Sequence, residues 1–318
     1  IQVRKFGEGC KHVFGHFSLN GEKHEKGEMS PFQSIMTAIA AQVGTGNLAG
    51  AATALFGGGP GAIFWMWLSA FFGMATIYSE AVLAQTYKTE VNGEVTGGPV
   101  YYIKAAFKGN FGKVLSTLFA IFIVLALGFM GNMVQSNSIG DAFKGAFGIN
   151  PLFVGIAVAI LAAFIFLGGI GRIASVTEKL VPIMAGFYII GALVLIIMNI
   201  GNLPNVIRMI FVGAFNPEAA IGGFAGVAVS QAIKYGVARG LFSNEAGMGS
   251  TPHAHAVAKV KHPCDQGLVA MMGVFIDTLI ILNLTAFAVM ITGQLNTYNQ
   301  DLTGAALTQA AFTTSFGK

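Results

Sequence analysis

Three places in this chain gather residue types that could do chemistry. The first reads Ile39-Ala40-Ala41-Gln42-Val43-Gly44-Thr45-Gly46-Asn47-Leu48, with two glycines flanking a threonine and an asparagine behind them. The second reads Arg239-Gly240-Leu241-Phe242-Ser243-Asn244-Glu245-Ala246-Gly247-Met248-Gly249-Ser250-Thr251-Pro252. The third is Asp277-Thr278, the one acidic site in the otherwise uncharged run from Gly267 to Thr292. A glycine inside a helix costs about 1 kcal/mol relative to alanine, so the first two stretches predict interrupted helices. An opened backbone has two chemical ends. Free N–H groups and the positive end of a half-helix suit a carboxylate. Free carbonyls and the negative end suit a small cation or an ammonium group. Each stretch also has a plainer reading: close helix packing through small residues for the first, and an ordinary polar loop between two separate elements for the second.

What must position these residues follows from composition. Only 10% of the 318 residues are charged and 54% are hydrophobic, with a mean hydropathy of +0.68. Soluble domains carry about 25% charged residues. Disordered chains, collagens and disulfide scaffolds are excluded by charge, glycine period and cysteine content. Fourteen acids and 18 bases are too few to cover a soluble enzyme of this size. An integral membrane protein remains. The chain from Met29 to Ser79 lacks any Asp, Glu, Lys or Arg and holds two spans, parted at Gly57-Gly58-Gly59-Pro60-Gly61. Five more apolar runs bring the expected crossings to seven, at 32–56, 61–86, 114–140, 151–172, 180–201, 219–256 and 267–292. Such runs match the roughly 20 residues a helix needs to cross and exceed the roughly 9–11 of a barrel strand. Cys10 and Cys264 form no metal or disulfide spacing, and His253 and His255, two apart, do not share a helix face.

The positive-inside rule orients the chain. With residues 1–31 in the cytoplasm, 13 of the 18 Lys and Arg fall in cytoplasmic segments. Only Lys144, Arg208 and Lys318 fall outside. The first span then runs outward and the sixth inward. Two interrupted helices of opposite direction, each opening a five-helix unit, are the pattern of inverted-repeat secondary transporters. The predicted fold class is an all-α integral membrane protein with two discontinuous helices. Its expected parts are a cytoplasmic segment 1–31, a first repeat 32–201, an outer loop 202–218, the start of a second repeat 219–292 and an outer segment 293–318. A zwitterionic amino acid beside a small cation fits both ends of such breaks.

Four blocks carry a resemblance. Gly44-Thr45-Gly46-Asn47, Gly58-Gly59-Pro60-Gly61-Ala62-Ile63-Phe64-Trp65-Met66-Trp67, Gly97-Gly98-Pro99-Val100-Tyr101-Tyr102-Ile103 and Ser243-Asn244-Glu245-Ala246-Gly247-Met248-Gly249-Ser250 resemble the alanine/glycine:cation symporter family, the sodium:alanine symporters. The resemblance implies a leucine-transporter-like inverted repeat and Na⁺-coupled, sometimes H⁺-coupled, uptake of alanine or glycine. It also implies a fragment, lacking the family's first helix and its last three, so that the second repeat is incomplete. By motif match, Gln42, Gly44, Thr45 and Gly46 are substrate-site candidates, with Phe242, Ser243 and Asn244 closing the pocket. Gln135, on the third span, is a further substrate candidate, or else an outer helix end facing water. The Na⁺ candidates are the carbonyls of Ala40 and Val43, the Asn47 side chain, Asp277 and Thr278. Asp277 could instead be the structural partner of Arg239 or Lys234, and Glu80 reads as a gate or interface residue.

Expected partners are alanine or glycine, Na⁺ and the lipid bilayer, with no nucleic acid, no cofactor besides the coupling ion and no oligomeric state specified. The expected location is a bacterial or archaeal plasma membrane. The alternatives are an uncoupled or H⁺-coupled amino-acid permease or channel. An intramembrane enzyme needs a nucleophile–base or metal constellation, and Asp277 has no matching acid or histidine on a neighbouring span.

Overall fold

The structure, a computed structural model, describes residues 1–15, 30–215, 229–296 and 304–317. They are almost entirely helical, with one short hairpin between β1 (Thr89–Val91) and β2 (Glu94–Thr96), in which Val91 pairs with Glu94 across Asn92-Gly93. Both turn residues have positive φ, 54° and 81°, which is what a two-residue hairpin turn demands.

α1 (Phe6–Phe14) is amphipathic and lies along a later span. α2 (Pro31–Gln42) starts at a capping box: Ser30 Oγ accepts from Gln33 N, and Gln33 Oε1 accepts from Ser30 N, with Pro31 at the first helical position. A break follows, then a π-helical stretch π1 (Gly46–Gly50) and α3 (Ala51–Gly58). Gly59, at φ 67°, turns the chain into α4 (Gly61–Thr86). Beyond the hairpin come α5 (Pro99–Ala106) and a continuous rod of α6 (Gly109–Ile123), π2 (Val124–Gly131) and α7 (Asn132–Phe147). α8 (Pro151–Phe166) and α9 (Gly169–Met198) follow, then α10 (Leu203–Phe215). α11 (Val229–Asn244) ends at the second break, and the five-residue α12 (Pro252–Ala256) resumes the direction. α13 (Pro263–Val274), π3 (Phe275–Leu282) and α14 (Asn283–Ile291) form another rod, and α15 (Gly304–Phe316) closes the described chain.

Among the described residues, four helical rods are long and apolar enough to cross a membrane: Gly61–Thr86, Gly109–Phe147, Gly169–Met198 and Pro263–Ile291. Pro151–Phe166 and Ile200–Phe215 are shorter apolar helices. The core lies between α2, α3, α4, α11 and the α13–π3–α14 rod, where Ile35, Leu55, Ile63, Met66, Ile77, Met271 and Ile281 are fully buried. The outer faces of the α6–α7 rod and α8 carry exposed Phe122, Phe129, Phe153, Ile160 and Phe164, as a lipid-facing surface would.

Glycines set the close approaches. A Cβ on Gly61 would fall 2.1 Å from the carbonyl oxygen of Gly213, and one on Gly236 2.3 Å from that of Ala62. These contacts bring α4 against α10 and α11 at backbone distance. The indoles of this helix are held by protein groups: Trp65 Nε1 donates to the Ala214 carbonyl (3.2 Å) and Trp67 Nε1 to Asn283 Oδ1 (2.5 Å).

Several expected boundaries move. The fourth span ends at Phe166, not 172, because Gly169 turns at φ 70° and Arg172 and Glu178 are taken into α9. Charge marks the end of an apolar run, whereas backbone geometry marks the end of a helix. Within the expected outer loop 202–218, residues 203–215 form helix α10, whose Val206, Ile210, Gly213 and Ala214 are buried on one face. The expected outer segment 293–318 contains α15, tied to the first break by Thr308 Oγ1, which donates to the Leu48 carbonyl (2.9 Å). Within the expected segment 1–31, α1 packs antiparallel on α13 and π3, with Phe6 against Phe275 (ring centroids 4.7 Å apart) and His12 Nε2 3.9 Å from Asp265. The expected start of the sixth segment, 219–228, lies outside the described residues.

Candidate functional site at the two helix breaks

The first break falls at Val43 and Gly44. Val43 leaves helical geometry (φ −82°, ψ 94°). In a continuing helix Gly44 N–H would bond back to the Ala40 carbonyl; here it donates to Asn47 Oδ1 (2.9 Å). The Gly44 carbonyl accepts from the N–H groups of Asn47 and Leu48, and the wider π-helical turn begins. The asparagine thus caps the break from inside. The opening is short: Gln42 is still the last residue of α2.

The second break starts after Asn244. Arg239 to Asn244 stay helical, and the chain leaves the helix at Glu245, a non-glycine residue at φ 57°. Gly247 and Gly249 are also left-handed, at 89° and 78°. Glycine adopts this conformation freely; at Glu245 it costs backbone energy, and such strained residues cluster at functional positions. Asn244 Oδ1 accepts from Ala246 N (3.1 Å), Glu80 Oε2 accepts from Gly247 N (3.0 Å), and Ser250 Oγ donates to Glu245 Oε2. Glu80 therefore supports the unwound loop.

The two breaks face each other. Gln42 Nε2 donates to the Asn244 carbonyl (2.8 Å), and a Cβ on Gly46 would stand 3.1 Å from Ser243 Cα. Above and below, Ser34 Oγ donates to the Ala254 carbonyl (2.9 Å) and Gly57 approaches Tyr235. The order of these pairs, rising along one chain and falling along the other, makes the two broken segments antiparallel.

Between them sits Asp277, with no exposed surface. Its Oδ1 accepts from Asn47 Nδ2 (2.7 Å) and Ser243 Oγ (3.1 Å), and its Oδ2 from Thr278 Oγ1 (2.9 Å). Asn47 Nδ2 also reaches the Asp277 carbonyl (3.2 Å), and Asn244 Nδ2 donates to Thr278 Oγ1 (3.1 Å). Every one of these donors is neutral. Neither Arg239 nor Lys234 pairs with Asp277 among the described ion pairs, so its reading as their structural partner is set aside. π3 supplies Asp277 and Thr278, π1 supplies Asn47, and π2 lines the neighbouring cavity; π-helical turns recur at functional sites.

That cavity, about 390 Å³, is lined by Gln42, Thr45, Gly46, Gln135, Phe242 and Glu245 and floored by small residues such as Ala41, Ala49 and Gly50. Gln135 is half-buried and lies close to the first break: a Cβ on Gly44 would meet its Oε1 at 2.9 Å. Phe242 is 43% exposed and stands at the rim. Gln42 Oε1 is buried without a hydrogen-bond partner. Ala40 is half-buried and does not line the cavity. Five candidates thus meet around one buried carboxylate or its neighbour (Asn47, Ser243, Asn244, Asp277, Thr278), and five more line the cavity. The cavity lining of Ala126, Leu127, Met130 and Arg239 was missed in the sequence. The first three are plain apolar residues of the π-helical stretch π2, for which the sequence carries no signal.

Among the described residues no group of three or more His, Cys, Asp or Glu could hold a metal ion. His255 is instead buried against Gln266 (2.7 Å) and Ser34 (3.4 Å), and His262 accepts from Cys264 N to cap α13.

Comparison with known proteins follows the same lines. The profile of the sodium:alanine symporter family matches residues 1–318. The sodium/alanine symporter AgcS of Methanococcus maripaludis is 48% identical over 300 residues, 93% of this chain and 65% of its own length. The amino-acid carrier protein AlsT of Bacillus subtilis is 45% identical over 276 residues, 86% of this chain and 58% of its own. The protein of the same organism named "Probable sodium/glutamine symporter GlnT" is 44% identical over 293 residues, 92% and 59%. The chain spans about 60% of the length of these curated relatives. Residues 1–318 belong to the sodium:alanine symporter family, a family of transporters and not of enzymes.

Proposed function

We propose that the protein to which this chain belongs is a secondary active transporter in the plasma membrane, carrying a small neutral amino acid, alanine or glycine, together with Na⁺ into the cell by alternating access. One observation carries the reading: a fully buried carboxylate, Asp277, stands between two helix breaks and is bonded only to neutral donors. A buried charge without a partner is costly, and a small cation supplies the missing charge. Na⁺ sits among Asp277, Thr278 and Asn47, with the carbonyls of Ala40 and Val43 as further oxygen ligands. The substrate carboxylate takes the N–H groups of Thr45 and Gly46, since Gly44 N–H is already bonded to Asn47. The ammonium group takes the unpartnered Gln42 Oε1. Gln135, Phe242, Ser243 and Asn244 enclose the remaining side. The glycines and alanines of the cavity leave room for a hydrogen or methyl side chain.

The antiparallel breaks support a leucine-transporter-like inverted repeat, with 32–201 as the first unit and the chain from 219 opening the second. The relatives' names include both alanine and glutamine, so substrate size rests on the cavity and not on kinship. Uptake of labelled alanine into proteoliposomes, with and without an imposed Na⁺ gradient, tests the proposal. Accumulation that follows the Na⁺ gradient supports it. Equal uptake in both conditions refutes coupling and favours a permease or channel, and uptake that follows a proton gradient alone makes H⁺ the driving ion.

A further inference from the structure

We infer that Glu245 forms a second station for the substrate's ammonium group, in a cavity beyond the breaks, toward the end of the bundle that the charge bias assigns to the cytoplasm. The inference rests on the amino-acid reading above and adds a site to it. A cavity of about 330 Å³ is lined by Thr37, Glu245, Ser250, Thr251 and His253. It shares only Ala41, Leu127 and Glu245 with the cavity at the breaks. Glu245 thus stands in the wall between two chambers.

Three observations make this a site. Glu245 is buried, and its carboxylate is bonded to the Ser250 hydroxyl; no described Lys or Arg pairs with it. Thr251 Oγ1 is buried in the same lining without a hydrogen-bond partner, and the residue is 3% exposed. Glu245 also holds a left-handed backbone at φ 57°, which a side chain of its kind rarely adopts. The charges along the route change in one direction. Arg239 lines the first cavity but not the second, and Glu245 lines both. A zwitterion leaving the breaks therefore leads with its ammonium group, moving from Gln42 Oε1 to the Glu245 carboxylate and the Thr251 hydroxyl. His253, exposed at the mouth, is turned aside with Nδ1 on the Ser250 carbonyl (2.9 Å).

Two measurements on the reconstituted full-length protein test this. With the native cysteines, Cys10 and Cys264 among them, replaced by serine, Thr251→Cys is modified by a cationic and by an anionic methanethiosulfonate. Clefts of one charge sign raise counter-ion concentration about tenfold or more. The cationic reagent is expected to be favoured by at least about tenfold over its ratio on a free thiol, and Glu245→Gln is expected to abolish that preference. A ratio unaffected by Glu245→Gln overturns the station. Thr37→Cys, on α2, reads the same cavity should Thr251→Cys fail to fold. Second, Thr251→Val, which touches the second cavity and not the first, is expected to leave equilibrium binding of labelled alanine within about threefold while initial uptake falls about fivefold or more, a loss in turnover and not in affinity. Parallel loss of both places the hydroxyl in the first site, loss of neither makes it structural, and either result overturns the inference. If the native protein binds no amino acid, the transport reading fails by itself, and the reagent ratio alone decides whether Glu245 draws cations.

Discussion

Replacing Asp277 by asparagine separates a cation-holding carboxylate from a structural one. The substitution keeps shape and removes one negative charge. Oδ1 can still accept from Asn47 Nδ2 and Ser243 Oγ, but the other atom becomes an amide that cannot accept from Thr278 Oγ1. One hydrogen bond is lost, worth about 1 kcal/mol. Against that, the empty protein no longer buries an unpaired charge, so its own stability changes little or rises. The ion is a different matter. A cation about 4 Å from a carboxylate gains about 4 kcal/mol at an effective dielectric near 20. Losing it weakens Na⁺ binding by up to about a thousandfold. The assay is thermal unfolding of the purified protein in sodium chloride against choline chloride at equal ionic strength. A ligand at 100 times its Kd stabilises by about 2.7 kcal/mol, so the native protein unfolds several degrees higher in sodium. Asp277→Asn is expected to unfold at the same temperature in both salts, near the native value in choline. A sodium-dependent shift of native size in Asp277→Asn would refute the assignment of the ion to this carboxylate.

Other substitutions read other parts of the structure. Gly44→Ala places a Cβ 2.9 Å from Gln135 Oε1, so uptake should fall about tenfold or more, and Gln135→Ala in the same chain should recover part of it in a double-mutant cycle. Gly61→Ala drives a Cβ to 2.1 Å from a backbone carbonyl, where no side chain can yield; it should cost at least the about 1–3 kcal/mol of ordinary overpacking, seen as a lowered unfolding temperature. Gln85 Nε2 reaches the carbonyls of His255, Ala256 and Ala258 at the end of α12. Gln85→Ala strands them at about 1–3 kcal/mol for each one left unsatisfied, and amide exchange should rise in 252–258 before it rises in α4.

Much of the arrangement was legible in the residues, for identifiable reasons. Glycines beside polar residues in an apolar run marked both breaks, because nothing else in hydrocarbon tolerates an opened backbone. An acid inside a span marked Asp277. What escaped has equally physical causes. Arg172 and Glu178 interrupt the apolar run without ending α9, because helix geometry depends on backbone bonding and not on charge; the real end of α8 is the turn at Gly169. Residues 203–215 looked like a loop because Pro204, Asn205 and Arg208 break up the hydropathy, yet Val206, Ile210 and Gly213 form one buried helical face. The π-helical turns at 124–131 and 275–282 left no trace, since each adds one residue to a turn without calling for glycine or proline. They nonetheless contain Leu127, which lines the cavity, and Asp277, which stands between the breaks.

The breaks persist because amide side chains replace the missing helix bonds. A backbone group left unpaired in hydrocarbon costs several kcal/mol, so an unwound stretch survives only with substitute partners. Asn47 Oδ1 takes the Gly44 N–H, Asn244 Oδ1 takes the Ala246 N–H, and Gln42 Nε2 takes the Asn244 carbonyl. All three substitutes are neutral, and two of them belong to the break that they cap. The third crosses between the breaks and ties one opening to the other. This division has a consequence for charge. With the backbone satisfied by amides, the local carboxylates Asp277 and Glu245 have no structural cation among the described residues, each being bonded to hydroxyl and amide donors alone. The unwound geometry is therefore maintained without any mobile charge, and the two acids are left for charges that come and go. A lysine or arginine built into either position would neutralise the acid permanently and leave the openings with nothing to exchange.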